Sequence, residues 1–453
     1  MNDYQEANGA DERERTVAVV GLGKIGLPLA VHFAGAGLRV LGVDVDPRVV
    51  ELVNLGREPF PGERDLDRLL AAAIGEGRLR ATTDTAEAVS QAGTVVIVVP
   101  LVVDEQARPD FSAVDAATAA VARALRPGAL VCYETTLPVG TTRNRLAPAL
   151  AAGSGLRPGR DLFVAMSPER VFSGRIFEDL RRYPKLVGGL DEASARRAEA
   201  FYRRALRFDE RPELPRPNGV WSVGSAEAAE LVKLAETTYR DVNIALANTF
   251  AVYAESIGVD YETIAQAANS QPFSALHRPG AYVGGHCIPV YPRLYLAGDP
   301  AARLVATARE VNEEMPAHLV GALAERLREH GLSLEGLRVA VLGAAYRGGV
   351  KETFHSGVFP IAHLLAEAGA LPLVHDPLFS DEELRALGLT PLRLGEPCEA
   401  AVVQADHPEY AELSAEDLPG VRVLADGRDV TDPERWPGVE RFALGRAPGA
   451  PAR

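Results

Sequence analysis

The short apolar run Thr16-Val17-Ala18-Val19-Val20 breaks into the glycine-spaced turn GLGKIG. A helix-like segment, LPLAVHFAGAG, and a second short run, LRVLGVD, follow it. Short apolar runs alternating with segments of helical period predict a parallel sheet with helices packed on its faces. The alternation continues through Thr94–Val99 and Ala129–Tyr133. In such a doubly wound sheet ligands collect at the carboxyl ends of the strands, and those ends carry Pro100 and Glu134-Thr135-Thr136. A proline-rich, unperiodic stretch near residues 212–222 reads as a link. After it comes SAEAAELVKLAETTYRDVNIALANTFAVYAESIG, some thirty residues without proline or internal glycine, with Ser225 as N-cap and Gly258 as stop. A helix of that length spans roughly 50 Å and is suited to bridging domains or packing on a partner subunit. From Leu337 the strand-first pattern returns in LRVAVLG, PIAHLLAEAGA and LPLVHDP, then in EAAVVQADH and VRVLAD. The expected fold is α/β, two Rossmann-like doubly wound domains joined by a long central helix. The expected boundaries are 14–212, 218–325 and 335–445.

The GxGxxG spacing of Gly21, Gly23 and Gly26, in the turn that also holds Lys24 and Ile25, has a strand before it and a helix after it. Glycines there permit a tight turn, close approach of a pyrophosphate and close helix-to-strand packing. Asp44 ends the second strand 18 residues after Gly26, where a carboxylate takes both ribose hydroxyls and repels a 2′-phosphate. NAD is therefore the expected cofactor, rather than NADP. The second glycine-containing turn, GAAYRGG, lacks the spacing and suits a mononucleotide better. Thr136 reads either as a hydrogen-bond donor to nicotinamide or substrate, or as a plain turn threonine.

Composition removes several classes of function. At 453 residues the chain predicts two or three domains. No apolar run approaches the length of a membrane span, and the polar start MNDYQEANGADERER is not a signal peptide. The expectation is a cytoplasmic protein. A net charge of −14 repels a polyphosphate backbone, so nucleic acid is not an expected partner. Three widely spaced cysteines, Cys132, Cys287 and Cys398, fit neither a disulfide framework nor a zinc site. Cys132 lies within a strand and reads as a core residue, whereas Cys287 sits in GGHCIPVYP between a flexible glycine pair and a rigid Ile-Pro. Only four of the 48 basic residues are lysine: Lys24, Lys185, Lys233 and Lys351. Where arginine serves as the default cation, a lysine suggests a need for an amine. Lys233 falls two turns into the long helix and shares a face with Thr237; the alternative is a surface lysine snorkelling past apolar neighbours.

GLGKIGLPLA, VDEQARPDFSAV, TTLPVGTT, SPERVFSGR, ELVKLAETTYRDVNIALAN, GGHCIPV and VAVLGAAYR occur in this order between about residues 15 and 430. In these motifs and their order the chain resembles the UDP-glucose/GDP-mannose dehydrogenases, the nucleotide-sugar 6-dehydrogenases. The resemblance implies oxidation of C6 of a nucleotide-linked hexose from alcohol to carboxylate, with two NAD and no metal. By the same resemblance Cys287 is the nucleophile that forms a thiohemiacetal and then a thioester, and Lys233 stabilises the C6 oxygen. Glu169 lies near the hydrolytic water and Thr136 completes the catalytic set. Contacts to the nucleotide sugar fall to Glu169, Arg170, Val171, Phe172, Lys233, Tyr282, Gly284, Gly285 and Arg347, with the Tyr282–Gly285 stretch offering backbone amides to the diphosphate. An ordinary cysteine titrates near about 8.5, so a neighbouring cation is expected to assist Cys287, and His286 and Lys233 are the candidates.

The chain departs from the family pattern at Thr237, where asparagine is usual, at Tyr291, where aspartate is usual, and at Phe354, where an arginine is lost. The Tyr291 hydroxyl or Lys351 is expected to take over in a rebuilt site. UDP- or dTDP-glucose is the favoured substrate. A UDP-N-acetylhexosamine is the alternative, suggested by SPER and DVNIALAN. A two-electron dehydrogenase of the hydroxyacid kind and an inactive nucleotide-sugar-binding protein complete the field. The long helix leads to the expectation of a homodimer or a larger even homo-oligomer, with no membrane partner.

Overall fold

The computed structural model describes residues 12–104 and 108–447; residues 105–107 of the VDEQARPDFSAV segment lie outside the described residues. The chain divides into two compact units. Unit 1 is Met1–Ala235 with Arg293–Gly298, and unit 2 is Glu236–Pro292 with Asp299–Arg453.

Unit 1 is built on an eight-stranded sheet of β1 (Thr16–Val20), β2 (Arg39–Val43), β3 (Leu79–Thr82), β4 (Thr94–Ile97), β5 (Ala129–Tyr133), β6 (Leu162–Met166), β7 (Lys185–Gly189) and β8 (Val220–Ser225). The strand order is β8-β7-β6-β5-β4-β1-β2-β3. It reverses between β1 and β4, which is the switch point where doubly wound sheets open a crevice for ligands. Strands β1 to β6 are parallel as expected, but β7 pairs antiparallel with β6, and β8 is parallel to β7. An apolar run marks a strand without marking its direction. Here residues 167–184 fold as the SPER turn and the seven-residue helix Ile176–Arg182, and return the chain reversed. Helix α1 (Gly26–Gly35) buries Leu27, Leu29, Ala30 and Phe33 against the sheet. Phe33 meets Phe201 edge-on at 5.5 Å.

Helix α2 runs from Ala226 to Ser256, and the division between the units falls within it. Its start is capped as expected, the Ala228 N–H donating to Ser225 Oγ at 3.2 Å. Gly258 ends it with a φ of +70°, the left-handed conformation that terminates helices at glycine. Helices α3 (Tyr291–Gly298) and α4 (Arg303–Glu329) follow. Among the described residues no helix is long and apolar enough to cross a membrane.

Unit 2 carries a five-stranded, wholly parallel sheet of β9 (Arg338–Leu342), β10 (Leu371–His375), β11 (Ala400–Val403), β12 (Val423–Asp426) and β13 (Glu440–Ala443). Its order is β10-β9-β11-β12-β13, with the switch between β9 and β11. The central strands are buried on both faces, as parallel strands covered by helices must be.

A buried polar chain ties α2 to α4. Arg309 donates to Asp241 Oδ1 at 2.6 Å, and Asn312 Nδ2 to the same oxygen at 2.8 Å. Asn248 donates to Asn312, and the Gly280 N–H to Asn248, which carries the chain to the start of the segment leading to Cys287. Burial pushes the Asp241 carboxyl up to about 6 against the pull of Arg309.

Leu342 is fully buried at the centre of the second sheet. The Leu342→Ala variant is expected to lose about 2–5 kcal/mol, read as a lowered urea midpoint for unit 2.

Candidate active site

The first turn of unit 1 has the geometry that a dinucleotide requires. Gly21 has a φ of +95°, and a Cβ on Gly26 would stand 1.8 Å from the Gly21 carbonyl oxygen, so neither position accepts a side chain. A Cβ on Gly23 would meet nothing within 4 Å, which leaves open space at the mouth of the turn. Lys24 is exposed there and Ile25 half-buried. Asp44 accepts the Leu22 N–H at 2.8 Å on Oδ2 and the Asp46 N–H at 2.9 Å on Oδ1. Each carboxylate oxygen retains a second lone-pair direction, so the half-buried Asp44 is fixed in place and still able to receive a ribose diol. Pro100 and Thr136 follow β4 and β5 at the same edge of the sheet, Pro100 exposed and Thr136 buried. These residues fit NAD.

Asp376 occupies the matching place after β10 in unit 2, with a different outcome. It accepts the N–H groups of Ala344, Ala345 and Leu378 and also His407 Nε2. Three of these donors crowd Oδ2 and the carboxylate is buried, so it is not open to a ribose as Asp44 is. The second Rossmann-like unit therefore cannot grip a dinucleotide as the first does.

At the carboxyl ends of β5 and β6 lies a buried ionic cluster that sequence reasoning missed. Lys185 Nζ stands 2.5 Å from Glu134 Oε2 and 2.9 Å from Glu169 Oε2, and the Tyr202 hydroxyl donates to Glu134 Oε1 at 2.6 Å. Glu169 also accepts the Arg170 N–H at 2.7 Å. Burial drives the Glu134 carboxyl upward and the nearby Glu169 adds to that, outweighing Lys185. Burial presses Glu169 upward too, but Lys185 and the hydrogen bonds from Glu134 and Arg170 overcome it and hold Glu169 below the usual range. The scarcity of lysine was the available signal for Lys185. Its pairing with Glu134 spans 51 residues and leaves no local pattern.

The other SPER residues are arranged around Glu169. Arg170 donates to the Pro184 carbonyl, Val171 is half-buried, and the Phe172 N–H donates to Asp179 while its ring is exposed and faced by Arg175. Glu63, also unanticipated, receives the N–H groups of Gly174 and Ile176 and pins this loop.

Lys233 is buried, which removes the reading of a snorkelling surface lysine. One turn earlier on α2, Glu230 accepts the Gly140 N–H at 2.6 Å and both the N–H and hydroxyl of Thr142 at 2.8 and 2.6 Å. Glu230 thus fastens the TTLPVGTT loop, which carries Thr136, to the turn of helix before Lys233. Thr237 is buried as well.

In unit 2 the cysteine loop is clamped from one side. A Cβ on Gly284 would lie 2.6 Å from the His355 carbonyl oxygen and 2.7 Å from Tyr346 Cβ, and one on Gly285 would lie 2.9 Å from the Tyr346 ring. The glycine pair is thus required by close packing as well as by the φ of +91° at Gly285. The Gly285 N–H donates to the Phe354 carbonyl at 2.9 Å, so this amide is committed within the protein, contrary to its expected place on a diphosphate. Tyr282 lends its carbonyl to Arg428, which also bonds the carbonyls of Gln404 and Tyr346 and sews three segments together. Arg347 donates to the Tyr346 hydroxyl at 3.1 Å.

The rebuilt positions are also placed. Phe354 stacks on His286 at 4.0 Å and 9°. His286 Nε2 lies 3.5 Å from Glu352, so its ring is engaged with Phe354 and Glu352. Lys351 pairs with Glu383 at 2.6 Å on the surface, which spends it outside the expected substitute role. Tyr291 opens α3 and its N–H donates to the Cys287 carbonyl at 2.9 Å. Cys287 is exposed whereas Cys132 and Cys398 are buried. Burial, reinforced by Glu134, pushes the Cys132 thiol up to about 12.

Three domain families match the chain. The UDP-glucose/GDP-mannose dehydrogenase family NAD binding domain matches residues 15–206, the central domain 227–314 and the UDP binding domain 340–433. A UDP-N-acetyl-D-mannosamine dehydrogenase of Pyrococcus horikoshii is 36% identical over 420 residues, covering 91% of this chain and 95% of that protein. The solved structure of a UDP-D-ManNAc dehydrogenase from Pyrococcus horikoshii matches with a TM-score of 0.84 at 33% identity, covering 95% and 99% of the two chains. That of a UDP-glucose dehydrogenase from Pyrobaculum islandicum matches with a TM-score of 0.83 at 28% identity, covering 96% and 99%.

The contrast in thiol exposure predicts that the native protein takes up one equivalent of iodoacetamide, at Cys287, and the unfolded chain three. Labelling of Cys132 in the native state, counted by peptide mass spectrometry, would contradict the packing of β5.

Proposed function

Because the chain belongs to the UDP-glucose/GDP-mannose dehydrogenase family, we propose that it oxidises C6 of a UDP-linked N-acetylhexosamine from alcohol to carboxylate in two NAD-dependent steps. The exposed Cys287, in a chain whose other cysteines are buried, is the observation that carries the covalent route. Sequence analysis placed UDP- or dTDP-glucose first. The preference moves to the N-acetylhexosamine because the 36% identical relative acts on UDP-N-acetyl-D-mannosamine, in keeping with the SPER and DVNIALAN motifs. The three domain matches support the division into a NAD-binding domain over 14–212, a central helical domain over 218–325 and a nucleotide-sugar-binding domain over 335–445.

The Gly21–Gly26 turn, Asp44, Pro100 and Thr136 would hold NAD, which when bound would supply the hydride acceptor for each oxidation. The rest of the chemistry falls to side chains. After the first oxidation the Cys287 thiolate adds to the C6 aldehyde and forms a C–S bond. The thiohemiacetal retains a hydrogen on C6 and becomes a thioester in the second oxidation. A water oxygen then adds to C6, its proton passes to Glu169, and the C–S bond breaks to return the thiolate and leave the carboxylic acid. The Lys233 ammonium stabilises the charge that develops on the C6 oxygen. Thr136 completes the catalytic set. Arg170, Val171, Phe172, Tyr282, Gly284, Gly285 and Arg347 form the nucleotide-sugar contacts, Gly285 through its shape.

Helix α2 exposes Tyr239, Leu246, Phe250 and Tyr253, and Ile257, just past its end, is exposed as well. Their helical spacing makes one stripe, which supports the expectation of a homodimer. The Phe250→Glu/Tyr253→Glu double variant is expected to sediment as a monomer, and an unchanged sedimentation coefficient would count against this face.

Supplied with excess NAD, the protein is expected to form two NADH per UDP-N-acetylmannosamine consumed. The Cys287→Ser variant is expected to lose about 10³-fold or more in kcat. One NADH per sugar, or full activity in the serine variant, would favour the two-electron hydroxyacid reading, and turnover confined to UDP-glucose would return the substrate to the glucose class.

A further inference from the structure

The Gly21–Gly26 turn opens at the carboxyl ends of the strands in unit 1. At the amino ends of the same strands lies a cleft of about 480 Å³. It is lined by Gly93 and Thr94 at the start of β4 and by Gly128 and Leu130 around the start of β5. Three arginines line it as well: Arg13, just before β1, and Arg197 and Arg204 on the helix Glu192–Ala205. Seven residues apart, Arg197 and Arg204 lie on one face of that helix, about two turns from each other. Glu14 is the one carboxylate among the lining residues.

The three guanidiniums are held in place without being neutralised. The Arg13 carbonyl accepts the Gly93 N–H at 2.8 Å, and a Cβ on Gly93 would lie 2.6 Å from that oxygen, so glycine at 93 lets the two segments touch. Arg13 Nε is shut off from solvent and has no hydrogen-bond partner among the described residues. Arg197 donates to the Gly128 carbonyl at 2.7 Å and stands 4.0 Å from the Phe163 ring centre. Arg204 donates to the Glu14 carbonyl at 2.5 Å. Carbonyls and a ring orient a guanidinium but leave its charge intact. Neighbouring acids are engaged elsewhere, Glu12 with Arg39 and Glu199 with Arg203.

A second cleft in unit 1, of about 410 Å³, shows the opposite arrangement. Five arginines and five carboxylates line it, and Arg181 and Arg182 pair there with Asp209 and Glu178. That cleft needs no counter-ion. Around the first, three positive side chains face one negative one, in a chain whose net charge is −14. Like charges gathered in a cleft repel one another and focus a field that draws in an anion.

We propose that the Arg13–Arg197–Arg204 cleft binds a diphosphate group, free or esterified to a small organic molecule. A carboxylate is singly charged and leaves part of the surplus, whereas a diphosphate is multiply charged and offers oxygens to several guanidinium forks at once. The cleft is within the size range of small-molecule sites, with room for the organic part of an ester. The five residues of β1 separate Arg13 from the Gly21 turn, roughly 16 Å at about 3.3 Å per residue. A ligand here therefore leaves the turn and Asp44 free for NAD. The site does not depend on the reaction proposed at C6.

Phenylglyoxal modifies accessible guanidiniums, and peptide mass spectrometry reads each arginine separately. Inorganic pyrophosphate is expected to slow modification of Arg13, Arg197 and Arg204 by about tenfold or more, with Arg64 of the charge-balanced cleft unchanged. Stronger protection by uridine or adenosine diphosphate at equal concentration would assign the ester, and protection by pyrophosphate alone the free ion. Arg13→Ala removes no hydrogen bond to the described protein, so folding is not at issue. In that variant the pyrophosphate concentration that protects Arg197 and Arg204 is expected to rise about tenfold, with NAD affinity unchanged. Equal labelling of the three arginines with and without any of these ligands would overturn the site. So would the same protection by sodium chloride at matched ionic strength, or undiminished protection in Arg13→Ala.

Discussion

A carboxylate buried at the end of a strand must find donors inside the protein or keep its proton, and this constraint separates the functional parts of the molecule from the structural ones. Asp44 and Asp376 stand at equivalent points of two similar sheets. Asp44 receives two backbone donors and remains half-open, whereas Asp376 receives three backbone donors and a histidine and is closed. The same backbone geometry leaves a carboxylate able to accept a ribose in one unit and makes a structural anchor in the other. The difference lies in whether residues such as His407 reach in to saturate the carboxylate.

The same constraint shapes the rest of unit 1. Glu230 is fully buried and satisfied by the loop it holds, so it fixes a turn bearing Thr136 to the helix bearing Lys233. Glu134 and Glu169 have fewer backbone donors between them, and Lys185 makes up the deficit. Where backbone amides suffice, a carboxylate organises structure. Where they do not, a side-chain amine completes the set, as Lys185 does for Glu134 and Glu169.

In unit 2 the proposed nucleophile is held in the opposite way. Cys287 is exposed, but the glycines before it are packed hard against Tyr346 and the His355 carbonyl, and the residues after it enter a helix. Rigid backbone on both sides of an open side chain limits the entropy lost on reaching a reactive geometry. Phe354, where the resemblance led to the expectation of an arginine, is part of this clamp: its ring covers His286 and its carbonyl takes the Gly285 amide. A residue that reads in sequence as a lost binding contact is, in the fold, a support for the loop.

Much of this was legible in the sequence, because the relevant physics is local. Apolar runs marked β1, β2, β4 and β5 of the first sheet and β9 to β12 of the second, though not β3, β6, β7, β8 or β13; glycine spacing with Asp44 marked the cofactor turn, and an uninterrupted helical segment with Ser225 and Gly258 at its ends marked α2 almost to the residue. The ordered motifs identified the family, and the resemblance named Cys287, Lys233 and Glu169 as the residues to propose. The reversal of β7 was not legible, since hydrophobic period is the same in either direction. Nor was the commitment of the Gly285 amide, or the diversion of Lys351 to Glu383. The Glu134–Lys185–Glu169 cluster joins residues from three strand ends, and its charge depends on burial from every side. Sequence alone determined which elements form and which side chains are candidates for chemistry, because both are properties of short stretches and residue types. Which carboxylates are satisfied and which amides are committed were decided only by tertiary structure, because desolvation and hydrogen bonding are set by neighbours distant along the chain.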